Sequence, residues 1–147
     1  MIQIEYKLEN AGWAVGRIGN GEKYIEFDIT YLNDSLKELA ESAIGIKEKA
    51  TKSVTFMNEP GEHKFILNKI EENKIGYELR WYSDWLSWNL VSEDDYKLVL
   101  KGETTIAKYV NQVRSVLENI MTEIGAEEYK KRWIKHNFPL EEYLKLK

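Results

Sequence analysis

A chain of 147 residues with 43% hydrophobic and 31% charged side chains has the size and balance of one folded domain, which excludes a disordered or fibrous protein. It has no cysteine, which excludes disulfides, thiol nucleophiles and thiolate metal sites and is typical of a reducing compartment. The net charge of −4 is uneven, because residues 1–103 carry 13 Lys or Arg against 19 Asp or Glu, whereas residues 104–147 carry 8 against 6. This balance excludes the basic stripe that nucleic-acid binding needs and favours a neutral or basic partner.

The first residues predict a strand rather than an exported leader. Gln3, Glu5 and Lys7 alternate with apolar neighbours up to residue 8, which is strand periodicity and not the apolar run of a signal peptide. No stretch approaches the roughly 18 apolar residues that a membrane span needs. We therefore expect a soluble, cytoplasmic protein without a membrane partner.

A meander of three strands opens the predicted fold. The run 13–18 follows the first strand, and Gly19-Asn20-Gly21 then forms a hairpin turn that leads into alternation over residues 24–29. A helix follows, because Ser35 and Glu38 have capping-box spacing and apolar residues recur at helical intervals up to residue 44.

Strands return after this helix, over residues 53–57, 64–70, 75–82 and 96–101, with turn chemistry at 58–61 and 71–74. Thr104 or Thr105 is expected to cap a long helix of about 20 residues that ends near Gly125. A shorter helix over 126–135 follows, and Pro139 opens a last short one.

This order predicts a single α+β domain spanning residues 1–147. We expect a mainly antiparallel sheet of about six to seven strands with one long C-terminal helix, one helix after strand 3 and short terminal helices packed on one face. Regular βαβ alternation is missing, which argues against a doubly wound nucleotide-binding fold.

The usual signatures of catalysis and cofactor binding do not occur. The glycines at 12–21 fit hairpin turns better than a phosphate loop, since no glycine-rich turn opens directly into a helix. His63 and His136 lack a partner at ligand spacing, so we expect exposed turn histidines rather than a metal site. The acidic residues Asp84, Glu93, Asp94 and Asp95 are expected to be exposed to solvent. We assign no catalytic residue, cofactor or metal.

The distinctive segment spans residues 77–90 and holds three of the five tryptophans. Strand alternation directs Leu79 and Trp81 to the core, but the period changes after residue 83, so Trp85 and Trp88 do not both face inward. Trp and Tyr are enriched at binding hot spots, and acidic residues lie alongside. The residues expected to bind a partner are Arg80, Tyr82, Asp84, Trp85, Trp88, Glu93, Asp94 and Asp95.

Three alternatives stay open. The indoles can all be core, capping the sheet under the C-terminal helices with Tyr129 and Trp133 packed against them. Trp85 and Trp88 can form a platform for a sugar or another small molecule, in a binding module or an enzyme. The long helix can mediate oligomerisation, and the oligomeric state itself is not predicted.

In size, acidity, lack of cysteine and tryptophan-rich sheet, the chain resembles the small bacterial immunity proteins that neutralise polymorphic toxins. The resemblance implies a non-enzymatic protein that binds a toxin, often a nuclease, through an acidic surface. We therefore predict a protein-binding domain whose acidic, tryptophan-rich face meets a neutral or basic partner.

Overall fold

The computed structural model describes residues 2–147, which form seven strands and four helices. The first three strands are β1 (Gln3–Leu8), β2 (Trp13–Gly19) and β3 (Tyr24–Thr30), and they pair antiparallel in the order β1-β2-β3. Buried and exposed residues alternate strictly along β1, as the sequence predicts for a strand with one face on the core. The predicted opening meander is confirmed.

A second antiparallel sheet contains the remaining strands in the order β4-β5-β6-β7. These strands are β4 (Thr51–Met57), β5 (Glu62–Glu71), β6 (Lys74–Tyr82) and β7 (Lys97–Thr105). Phe65 on β5 pairs with Leu79 on β6, and both are fully buried on the inner face. The other face of this sheet is the floor of the surface described below.

The α+β class and the antiparallel pairing are confirmed, but the expectation of one continuous sheet is wrong. Strands β3 and β4 are separated by a helix and do not pair, and the two sheets meet through side chains instead. The ring of Phe27 on β3 lies 5.2 Å from that of Phe56 on β4 and stacks at 4.5 Å on His63 of β5. A contact of this kind buries apolar faces without continuing the hydrogen-bonded ladder.

Helix α1 (Ser35–Gly45) is docked on β4 by two of its own polar side chains. Ser35 Oγ donates to the Thr55 carbonyl at 2.7 Å, and the Thr55 amide donates to Glu38 Oε1 at 2.8 Å. The predicted capping box is therefore wrong, because both residues bond to a strand rather than to each other. Burial raises the pKa of Glu38 above its ordinary value.

Helix α2 (Ile106–Glu123) is the long predicted helix, although it has 18 residues and is not the last element. Thr105 caps it by accepting a hydrogen bond from the Lys108 amide, as one of the two predicted caps. Val113 and Leu117 are fully buried, and the Tyr109 hydroxyl lies 2.6 Å from Ser42 Oγ of α1. The apolar stripe read from the sequence is thus the face that packs on the core.

Helices α3 (Gly125–Trp133) and α4 (Leu140–Leu146) complete the chain. Tyr129 and Trp133 are fully buried, and their neighbours are rings from β1 and from the segment that joins the two helices. Tyr6 lies 6.2 Å from Trp133, and Phe138 lies 5.6 Å from Tyr129. Within residues 2–147, no helix combines the length and apolar character that crossing a bilayer requires.

Candidate functional site

The segment between β6 and β7, residues 83–96, is the largest irregular feature of the second sheet, and we call it the acidic loop. It carries four acidic residues and no Lys or Arg, which gives it a charge of −4. A single 3-10 turn, Leu86–Trp88, lies within it and ends at Asn89, whose backbone is left-handed with φ 59°. Asparagine tolerates this conformation better than most residues, so the turn has a local sequence cause.

A buried carboxylate holds the first half of the acidic loop. Glu62, at the start of β5, is fully buried, and its two carboxylate oxygens accept from the Ser87 amide at 3.0 Å and the Ser87 hydroxyl at 3.3 Å. Buried carboxylates are rare unless they are paired in this way. These two hydrogen bonds hold the 3-10 turn against the sheet. The sequence predicts no role for Glu62 or Ser87.

The second half of the acidic loop is held by Tyr82, the last residue of β6. Its hydroxyl donates to the Glu93 carbonyl at 2.7 Å, and its ring is buried beneath the loop. Burial raises the pKa of the Tyr82 hydroxyl. Because both halves of the loop are anchored, its surface is largely formed before any partner arrives, which reduces the entropy lost on binding.

The two tryptophans of the loop differ in exposure. Trp85 is half-buried, and its indole Nε1 donates to the Asn58 carbonyl at 2.7 Å at the end of β4. Trp88 is 54% exposed and meets the Trp85 ring edge to face, with centroids 4.4 Å apart and planes at 69°. The alternative that all the indoles lie in the core is therefore wrong for Trp88, which packs against Trp85 and is exposed to solvent.

Arg80 and Tyr96 form a stacked pair beside the loop. The Arg80 guanidinium lies 4.3 Å from the centroid of the Tyr96 ring and 3.0 Å from Glu78 Oε1. Tyr96 in turn lies 5.8 Å from the buried Tyr82 ring. The face of the ring attracts the cation, so this contact stabilises the two side chains against each other at the edge of the surface.

A polar groove of about 580 Å³ runs between the loop and the outer face of the second sheet. Its walls include Lys64 and Ile66 from β5 and Leu86 and Asn89 from the loop. Among the predicted binding residues, Arg80, Tyr82 and Glu93 line this groove.

The other predicted residues lie outside that groove. Asp84 accepts from the Trp85 amide at 2.8 Å, close to the two indoles, and Asp94 and Asp95 are exposed. The predicted residues therefore fall into those that line the groove and those that lie outside it. No contact joins all eight residues.

Three exposed apolar residues of this surface were not predicted. Leu90 on the loop, and Tyr96 and Leu98 near Arg80, are exposed, although the sequence predicts an ordinary strand for the segment that holds Tyr96 and Leu98. A register shift in the β6–β7 ladder between Leu79 and Arg80 pairs Arg80 with Leu98, on the outer face. A bulge of this kind redirects side chains and leaves no mark in the apolar pattern.

The two histidines are not the exposed turn residues that the sequence predicts. His63 lies on β5, buried between the rings of Phe27 and Trp81, and burial lowers its pKa to about 4. His136 is partly buried, with Nδ1 3.6 Å from Asp34 Oδ2. Among residues 2–147, no group of three or more His, Asp or Glu side chains is placed to hold a metal ion.

Comparison with known proteins adds a likeness of fold. No family model matches the chain, and no curated protein matches it. A solved chain of the CdiA-CT/CdiI toxin and immunity complex from Enterobacter cloacae is similar over 80% of this chain and 99% of its own length, with 14% sequence identity and a TM-score of 0.47.

Proposed function

We propose that the chain is a single non-enzymatic domain that binds a basic protein through the acidic loop and the apolar side chains beside it. The observation that carries the proposal is an exposed indole, Trp88, on a loop of charge −4 that is anchored at Glu62 and Tyr82. Contiguous exposed apolar residues rimmed by charge are typical of protein interfaces, and tryptophan is prominent among hot spots.

The partner that fits this surface best is a toxin with a basic active face, which makes the chain an immunity protein acting in the cytoplasm. A nuclease must carry Lys and Arg to hold phosphate, so a loop without any cation complements it. Charge complementarity of this kind speeds encounter and excludes wrong partners, while Trp88 and Leu90 supply apolar burial. The acidic loop would then cover the surface that the toxin's substrate needs.

A sugar or small-molecule platform fits less well. The Trp85 and Trp88 rings meet at 69°, so they present one free indole rather than a continuous flat surface. The Trp85 Nε1 donor is already bound to the Asn58 carbonyl. An unchanged tryptophan emission spectrum across a panel of sugars and metabolites is expected, and a saturable change with one of them favours the platform.

The proposal is tested by binding to the protein encoded beside the gene of this chain, measured by isothermal titration calorimetry. Trp88→Ala is expected to weaken the complex by about 2 kcal/mol or more, roughly 30-fold, as truncation of a hot spot does. Ile70→Ala removes an equally exposed apolar side chain from β5 and is the matched control, with no expected effect. Absence of a complex, or equal effects of the two variants, would contradict the proposal.

A further inference from the structure

A second exposed apolar surface lies at the C-terminal helices. A groove of about 740 Å³ runs between the end of α3 and the start of α4, with the buried Phe138 at its base and the exposed Ile134 and Leu140 beside it. Leu144, one turn after Leu140, is also exposed and extends the apolar strip along α4. We call this surface the C-terminal groove.

Ile134 adopts a strained backbone and is half-exposed at the edge of the groove. Its φ of 71° and ψ of −63° form a tight turn in which the Lys135 amide donates to the Trp133 carbonyl at 2.8 Å. This conformation is unfavourable for any β-branched residue. The residue is nevertheless 51% exposed, with its Cδ1 near Gly12, so only part of the side chain is buried to offset the strain. Strain that is kept at an exposed apolar residue is typical of functional surfaces.

The charge of the C-terminal groove is positive. Lys130 and Lys131 line it and are exposed, and within residues 2–147 neither forms an ion pair. The neighbouring Arg132 is bound to Glu128 at 3.1 Å, and Glu127 is the one acidic residue among those lining the groove. The groove therefore fits an apolar side chain flanked by carboxylates.

The acidic loop has this chemistry. Ten large apolar side chains are exposed among residues 2–147, and seven of them lie on the C-terminal groove or on the acidic loop and the start of β7. The two surfaces have opposite charge, and Trp88 and Leu90 project from the loop beside its carboxylates. The loop of the same chain is held in place at Glu62 and Tyr82, so an occupant of the groove must come from another molecule.

We propose that the C-terminal groove of one copy of this chain binds the acidic loop of a second copy. The contact pairs Asp94 and Asp95 with Lys130 and Lys131 and buries Trp88 or Leu90 against Ile134. It covers the face through which the proposed toxin partner binds, so self-association and partner binding compete. The proposal stands on the two surfaces themselves and requires no toxin.

Sedimentation equilibrium of the full chain tests this contact. At about 20 mM salt the screening length is about 20 Å, so a charged interface is at its strongest. We expect a weight-average mass above that of one chain that rises with protein concentration, and an association at least tenfold weaker at about 0.5 M salt. A wild-type chain that keeps the mass of one copy up to about 0.5 mM overturns the proposal.

Charge reversal locates the contact. Lys130→Glu with Lys131→Glu is expected to leave single chains, and so is Asp94→Lys with Asp95→Lys. An equimolar mixture of these two double variants is expected to associate again, because the reversed charges are complementary. Lys47→Glu with Lys49→Glu, on exposed lysines after α1, makes the same change in net charge and is expected to associate as the wild type does.

The backbone at residue 134 supplies an independent variant. Ile134→Gly relieves the positive φ and removes the apolar side chain, so it is expected to weaken self-association at least tenfold without loss of folding. Unchanged association of Ile134→Gly or of the Lys130 and Lys131 double variant overturns the proposal. Normal binding of the proposed partner by the same variants separates this result from the proposed function.

Discussion

The acidic loop and the C-terminal groove both expose large apolar side chains but are held in different ways. Hydrogen bonds to the second sheet hold the loop, above all those that Ser87 donates to the buried Glu62. The groove rests on the rings of Trp133 and Phe138, which are buried in the core. One surface is thus positioned by a few polar contacts and the other by bulk apolar packing.

The two surfaces are therefore sensitive to different kinds of substitution. A polar anchor contributes about 1–3 kcal/mol and acts locally, whereas a large buried ring contributes several kcal/mol to the whole fold. The acidic loop can therefore be loosened without unfolding the protein, and the C-terminal groove cannot.

The sharpest contrast is between two tryptophans. Trp133→Ala is expected to lower the free energy of unfolding by about 3–5 kcal/mol, because a fully buried indole is lost. Trp88→Ala is expected to lower it by no more than about 1.5 kcal/mol, since the residue is 54% exposed and loses only its edge-to-face contact with Trp85. Urea unfolding followed by circular dichroism measures the free energy of unfolding of both variants. Equal losses of stability would contradict the proposed difference between the two regions.

Acid is expected to weaken the junction between the two sheets at His63. Burial lowers the pKa of His63 to about 4, whereas the unfolded value is about 6.5. The neutral ring therefore stabilises the fold fully above pH 6.5, and this contribution, about 3 kcal/mol, is lost as the pH falls toward 4.

The matched variant for this pH effect is His63→Phe, whose ring keeps the contacts with Phe27 and Trp81 but does not titrate. The free energy of unfolding of wild type and variant, measured from pH 8 to pH 4, is expected to diverge below about 6.5. Other groups, such as Glu38, titrate in both proteins, so the difference isolates His63. Parallel pH profiles would show that the ring is not desolvated as the structure indicates.

Removal of the polar anchor is expected to free the acidic loop. Glu62→Ala loses both bonds to Ser87 and is expected to lower the free energy of unfolding by about 1–3 kcal/mol. Amide exchange at Ser87 is expected to accelerate far more than exchange in the inner strands. Glu59→Ala, on the exposed turn just before β5, is the control and should leave that amide protected. Equal protection in both variants would mean that the loop is held by other contacts.

The smallest effect concerns the strained turn beside the C-terminal groove. Ile134→Gly is expected to change the free energy of unfolding by less than about 0.5 kcal/mol, because relief of strain offsets the entropy cost of glycine. Ile70→Gly removes an equally exposed isoleucine whose φ is not positive, at the irregularity of the β5–β6 ladder, and is expected to lower stability by about 1 kcal/mol. Thermal unfolding compares the two, and equal losses would argue against strain at residue 134.

Local patterns were sufficient to predict the elements and the α+β class. Strand alternation, the Gly19-Asn20-Gly21 turn and the helical stripe after Thr105 each involve residues within a few positions of one another. They placed all seven strands and all four helices within a few residues of their observed bounds. They also singled out residues 77–90, because an excess of tryptophan beside carboxylates is visible in the sequence itself.

The tertiary structure alone decided which of these residues are exposed and what holds them. Ser35 and Glu38 bond to Thr55 rather than to each other, Glu62 reaches Ser87, and the two sheets meet through side chains. Trp88 and Trp133 are the same residue type, yet one is in solvent and the other is sealed in the core. Periodicity reports only contacts between near neighbours in the chain, whereas burial and these hydrogen bonds join atoms from elements that meet only after folding.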